Sequence, residues 1–134
     1  MEGRILIYPI VVMGLNTDIE EEISFKVNDI LITGFMPFGL VQEIEVGKEY
    51  LVQIDLTILD DINLKEMDSP LKEFKRIGNS FAYIIRGYFD AEEQTIDAGI
   101  KVELDSEYLD GHWYLHSKYI EITVDRISVT FIEE

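Results

Sequence analysis

Lys118-Tyr-Ile-Glu-Ile-Thr-Val-Asp-Arg-Ile-Ser-Val-Thr-Phe131 is the stretch that decides the fold. Ile120, Ile122 and Val124 alternate with polar residues, as a half-buried strand requires. After Asp125-Arg126 the apolar set moves to Ile127, Val129 and Phe131. Strand side chains point to opposite faces in turn, so this one-residue slip would carry the apolar set to the other side. A bulge or sharp bend at Asp125-Arg126 restores it, and sheets that curl into barrels need such bends.

Working outward, the same alternation recurs. Glu49–Asp60 places Tyr50, Val52, Ile54, Leu56 and Ile58 on one face, with Glu49, Gln53, Asp55 and Thr57 on the other. Ser80–Asp90 turns Phe81, Tyr83, Ile85 and Phe89 one way, and Thr95–Asp105 does the same with Ile96, Ala98, Ile100, Val102 and Leu104. Arg4–Met13 reads as a buried or edge strand, with Pro9 at an edge or bulge because it cannot donate a ladder bond. Glu22–Val27 alternates, and Asn28-Asp29 then shifts the phase to Ile30 and Ile32, as either a two-residue hairpin turn or a bulge does. Thr33–Gly39 reads as a loop folding its large apolar side chains back over the core. Leu64–Ile77 is the one helix candidate. Asp68 or Ser69 caps it, Pro70 suits its first turn, and Leu71, Phe74 and Ile77 form its stripe. Ser106–His116 is a loop or short helix.

The expected fold is all-β and mostly antiparallel with one short helix. A partly open barrel of five to seven strands is the first arrangement, and a two-sheet sandwich is the alternative. The length of 134 residues suits a single domain over 1–134. Strand order resembles the oligonucleotide/oligosaccharide-binding fold, carried by Glu49–Asp60, Pro70–Ile77, Phe81–Asp90, Ile96–Asp105 and Ile120–Phe131. That resemblance implies a helix plugging one end of the barrel. It departs from nucleic-acid-binding members, whose barrel face is basic and aromatic, because the outward positions here are largely acidic.

Acids outnumber bases 27 to 11, a formal charge of −16. Such a field repels phosphate backbones and anionic membranes, so nucleic acid and membrane are not expected partners. It favours a basic protein partner and also keeps the chain soluble. No cysteine is present, which excludes disulfides, cysteine-based zinc sites and thiol catalysis. Twenty isoleucines against three alanines (Ala82, Ala91, Ala98) point to AT-rich coding and a bacterial source. The apolar run Ile5–Leu15 is too short to span a bilayer and lacks a small-residue cleavage site after it, so a first strand and a cytoplasmic location are expected.

Catalytic and metal motifs are sparse. His112 and His116 would share a face on a helix, but Gly111 and the aromatic run oppose a regular helix, and neither metal nor cofactor is expected. Asp60-Asp61 and Asp90, Glu92 and Glu93 read as solvated turns rather than Ca²⁺ loops. No serine lies in a nucleophile elbow and no phosphate loop is present, so an enzyme is not expected. Arg86 and Arg126 sit inside strands among apolar neighbours. Each needs a carboxylate, with Asp125 and Asp97 the candidates, in a structural ion pair or as a ligand anchor. Tyr108, Trp113, Tyr114 and Tyr119 cluster near Asp105, Glu107 and Asp110, and aromatic anchors among acids suit a basic protein surface. In size, charge and missing chemistry the chain resembles the immunity proteins of toxin systems, which implies a non-enzymatic domain masking a basic partner. The alternative is a small-ligand module at the barrel mouth, anchored by Arg86, Arg126 and His112.

Overall fold

The chain bends where the pattern slips. In the computed structural model, which describes residues 6–37, 39, 42–59 and 61–132, one strand ends at Val124, the next begins at Arg126, and the two belong to different sheets. The strands are β1 (Ile7–Leu15), β2 (Glu22–Val27), β3 (Ile30–Phe35), β4 (Glu49–Thr57), β5 (Leu64–Glu66), β6 (Glu73–Arg76), β7 (Tyr83–Asp90), β8 (Thr95–Asp97), β9 (Lys101–Glu103), β10 (Lys118–Val124) and β11 (Arg126–Phe131).

The first sheet is a closed barrel in the order β1-β2-β3-β11-β4. Asn28 and Asp29 both take left-handed φ (48° and 66°), the conformation of a two-residue hairpin turn, so the phase shift there is a hairpin and not a bulge. β4 returns to lie beside β1, which makes β4-β1-β2-β3 a Greek key. β11 fills the last place. It runs antiparallel to β4 over six residue pairs but meets β3 in parallel only where Ser128 faces Phe35. Pro9 lies in the part of β1 that pairs only with β4, so its missing N–H costs no ladder bond.

The second sheet runs β5-β10-β7-β8-β9, and β6 shares the far edge of β7 with β8. Three of the sequence expectations are corrected here. Leu64–Ile77 is not a helix but β5, a loop holding Pro70, and β6. Of its apolar stripe only Phe74 packs on the core, while Leu71 and Ile77 stay exposed. Glu73-Phe-Lys-Arg76 alternates like a strand, and pairing with β7 supplies the hydrogen bonds that local helix propensity would otherwise provide. Thr95–Asp105 is not one strand but two, folded back at Ala98-Gly99-Ile100 with Gly99 at φ 111°. Its alternate residues are all buried as expected. Finally, Thr33–Phe35 continues β3 instead of starting the loop, although Met36 does fold onto the core. Arg4, Phe38 and Asp60 lie outside the described residues.

The barrel interior and the inner face of the second sheet form one hydrophobic cluster, from Ile10, Phe25 and Val52 to Phe89, Val102 and Ile122. Two tyrosines clasp the sheets together across this core. The Tyr8 hydroxyl on β1 donates to the Lys101 carbonyl on β9, and the Tyr83 hydroxyl on β7 accepts from the Thr33 amide on β3 at 2.7 Å. Burial, with Glu103 and Asp55 nearby, pushes the Tyr8 phenol up to about 12. No helix among the described residues is long and apolar enough to cross a membrane.

Candidate functional site

The loop from β9 to β10 gathers most of the residues singled out by sequence. Leu104, Leu109 and Leu115 are buried and pin it to the core at regular intervals. Between these pins the chain makes two single 3-10 turns, Ser106–Tyr108 and Trp113–Leu115. Asp105 caps the first turn by accepting the Glu107 amide at 3.3 Å. The amides of Leu109, His112, Leu115 and His116 all donate to carbonyls within the loop, which braces it from inside. Between the buried leucines several side chains stand in solvent. Trp113 is 54% exposed and Tyr114 69%, and Asp105, Glu107 and Asp110 are exposed around them. Tyr108 is half-buried beside the pinned Leu109.

A second acidic turn lies against this loop. Leu104 donates its amide to Gln94, Ser117 donates to Phe89, and the Ala91 amide donates to His116 Nδ1 at 3.0 Å. These bonds tie the acidic turn of Asp90, Glu92 and Glu93 to the two ends of the loop. The neighbouring lysines are engaged, Lys101 with Glu93 at 3.1 Å and Lys118 with Glu66 at 3.5 Å. The arrangement offers two large flat side chains on a loop rich in exposed acids and braced by its own hydrogen bonds.

The two histidines do not share a helical face. They stand immediately before and after the second 3-10 turn. His116 Nδ1 accepts the Ala91 amide at 3.0 Å, and the Asp90 carboxylate lies 3.8 Å from the same nitrogen. His112 stacks on Tyr114 with ring centroids 6.5 Å apart, and its Nδ1 is buried without a hydrogen-bond partner. Among the described residues, no group of three or more His, Asp or Glu is placed to hold a metal ion.

The two arginines lie elsewhere and differ from each other. Arg86 projects from the outer face of the second sheet, between Glu121 on β10 (2.9 Å) and Glu73 on β6. Lys65 on β5 faces Glu121, so charges alternate across four strands. Hydrogen bonds donated to Glu73 and then Glu121 raise the Arg86 guanidinium above its ordinary value. Its partners are therefore not the expected Asp97 and Asp125. Asp125 accepts the Leu59 amide at 2.6 Å, and Asp97 binds Lys72 at 3.1 Å. Burial pushes the Asp97 carboxyl up, but the Gly99 amide and Lys72 outweigh it and hold the group below its ordinary value. Sequence reasoning missed Glu73 because it read that segment as a helix. The alternation of Glu73 and Lys75 around Phe74 was the available signal.

Arg126 has no carboxylate partner among the described residues. Its guanidinium lies 4.2 Å from the centroid of the Phe35 ring, Phe81 meets Phe35 edge-on at 5.2 Å, and its Nε is buried without a partner. Tyr119 stands apart from the loop aromatics, edge to face with Tyr88 across β10 and β7.

Fold and surface together define a small acidic all-β protein, a Greek-key barrel joined to a second sheet that carries a negatively rimmed aromatic loop. The chain belongs to the family described as Uncharacterised conserved protein UCP019853, whose model matches residues 6–132. No curated protein sequence and no solved structure matches it.

Proposed function

We propose that this is a non-enzymatic protein-binding domain of the bacterial cytoplasm that masks a basic surface on its partner, as an inhibitor or immunity protein does. The observation that carries this reading is the exposure of Trp113 and Tyr114 inside the rim of Asp105, Glu107 and Asp110. Large aromatic side chains supply the anchoring area of protein interfaces, and rim charges steer a complementary partner and speed its arrival. The net charge of −16 acts in the same direction. The closed five-stranded Greek-key barrel resembles the oligonucleotide/oligosaccharide-binding type in strand number and closure. Its acidity argues for protein and against nucleic acid as the partner.

The test is a pull-down from a lysate of the native host at low and high salt, using the wild type and a Trp113→Ala/Tyr114→Ala variant. A single stoichiometric basic protein that elutes as salt rises and is not retained by the variant supports the reading. Retention that ignores both salt and the two substitutions overturns it. A small-ligand module is the second reading, favoured by Arg126, whose Nε is unpaired and whose guanidinium faces Phe35. A thermal shift with small carboxylates that disappears in Arg126→Met would favour that reading instead.

A further inference from the structure

Two strand edges remain unpaired where the barrel meets the second sheet. Because β2 and β3 close through a two-residue turn, the bonded pairs are Val27 with Ile30 and every second pair beyond. The backbone groups of Leu31 and Thr33 therefore face away from β2. β11 reaches β3 only at Phe35, and the Thr33 amide is taken by Tyr83. The N–H and C=O of Leu31 have no backbone partner. On β6 the Ile77 amide donates to Ala82, which assigns Lys75 and Glu73 to the bonded pairs with β7. The backbone groups of Phe74 and Arg76 thus point outward from the sheet, also without a backbone partner.

A groove of about 430 Å³ opens between these edges. Asn28, Ile30 and Leu31 line one lip, Lys72, Glu73 and Phe74 the other, and Ala98 and Gly99 complete it. Leu31 is 59% exposed. The charges of the lining are already engaged, Lys72 with Asp97 and Glu73 with Arg86. Lys75, next to Phe74 on β6, and Lys26, opposite Leu31, flank the lining residues; both are exposed and have no carboxylate partner among the described residues, in a chain with 27 acids and 11 bases. Natural sheets usually cover or blunt an open edge. In strand addition the free N–H and C=O groups bind the incoming main chain, and pockets beside them select alternate side chains.

We propose that this slot accepts an extended segment of another protein as an added strand, with its apolar side chains toward Ile30 and Phe74 and its acidic side chains toward Lys26 and Lys75. This surface is distinct from the aromatic loop and takes a partner segment of opposite charge.

The probe is a short capped peptide in which valine alternates with glutamate, titrated into isotope-labelled protein while amide shifts and hydrogen exchange are followed. Two controls replace glutamate by lysine, or N-methylate alternate amides. The glutamate peptide is expected to protect the amides of Leu31, Phe74 and Arg76 and to bind at least about tenfold tighter than either control. Lys75→Glu, at an exposed position, should invert the preference between the two charged peptides, and Trp113→Ala should leave it unchanged. Leu31→Asp provides a second variant that adds an acid to the lip and should weaken the glutamate peptide. Absence of protection up to millimolar glutamate peptide overturns the proposal. So does equal binding of the lysine peptide, or binding that survives N-methylation.

Discussion

The barrel and the second sheet are made from the same kind of alternating strand, yet one closes and the other stays open. Barrel strands are six to nine residues long, two of their joins are tight or nearly so, and β4 folds back beside β1. In the second sheet β5, β8 and β9 have three residues each and β6 has four, so β7 must divide one edge between β6 and β8. A closed sheet hides its backbone, whereas an open one leaves edges and needs long loops around them. The aromatic loop belongs to the open sheet, where it joins β9 to β10, and the slot runs between the free edge of β6 and the stretch of β3 that β11 does not reach. They work by opposite means. The loop is braced by its own hydrogen bonds and offers side chains, and the slot offers backbone.

Glycine substitutions probe that contrast most severely. In the second sheet, a Cβ on Gly87 would land within the Asp97 carbonyl, which is backbone held by the β7–β8 ladder. Gly87→Ala should therefore cost about 3 kcal/mol or more in urea unfolding. In the barrel, a Cβ on Gly34 would meet the Val129 methyl at 2.8 Å, the Phe25 ring at 3.0 Å and the Ile127 carbonyl at 3.2 Å, so its closest contacts are side chains and its backbone contact is a full ångström longer than that of Gly87. Gly34→Ala should cost about 1–2 kcal/mol. Equal losses would mean that the barrel is packed as rigidly as the sheet, and the contrast would fail.

The joint between the two sheets is tested by alkali. The Tyr8 phenol is raised from 10.0 to about 12 in the folded state, so folding holds its proton more tightly than the unfolded chain does. Its contribution is complete below pH 10 and is lost as pH rises toward 12, about 2–3 kcal/mol in all. Tyr8→Phe should flatten stability across that window while giving up the bond to Lys101 at neutral pH. A slope unchanged by the substitution would show that another group controls alkaline unfolding.

Smaller effects are expected in the loop. Asp105→Ala removes the cap on the first 3-10 turn and should cost about 0.5–1 kcal/mol by thermal or urea unfolding. Trp113→Ala/Tyr114→Ala should change stability by less than about 0.5 kcal/mol, because both side chains are mostly solvated. In the partner assay the same variant should lose about tenfold or more in affinity. A large loss of stability would instead make these aromatic residues a lid over the core.

Much of this was legible in the chain. The bend at Asp125-Arg126, the break in phase at Asn28-Asp29 and the buried sets of β4, β7, β8 and β9 follow from periodicity, while the choice of a hairpin over a bulge at Asn28-Asp29 came from the backbone. The aromatic loop was legible too, because acids and aromatics adjoin in sequence and Gly111 forbids a long helix there. The partners of Arg86 were not. Glu73 and Glu121 are brought to it by β6 and β10 on either side of β7, and a stripe of Leu71, Phe74 and Ile77 concealed β6 as a helix.

By itself the sequence determined most of the buried sets, several of the turns, and that its field is strongly negative. Each of those properties depends on a residue and its near neighbours, through side-chain alternation, backbone preference and charge. Only the tertiary structure decided which strands pair, that one sheet closes while the other keeps open edges, and which carboxylates reach which arginine. Those outcomes join distant segments, as when Tyr8 meets Lys101 across 93 positions, and no local pattern encodes a partner that far along the chain.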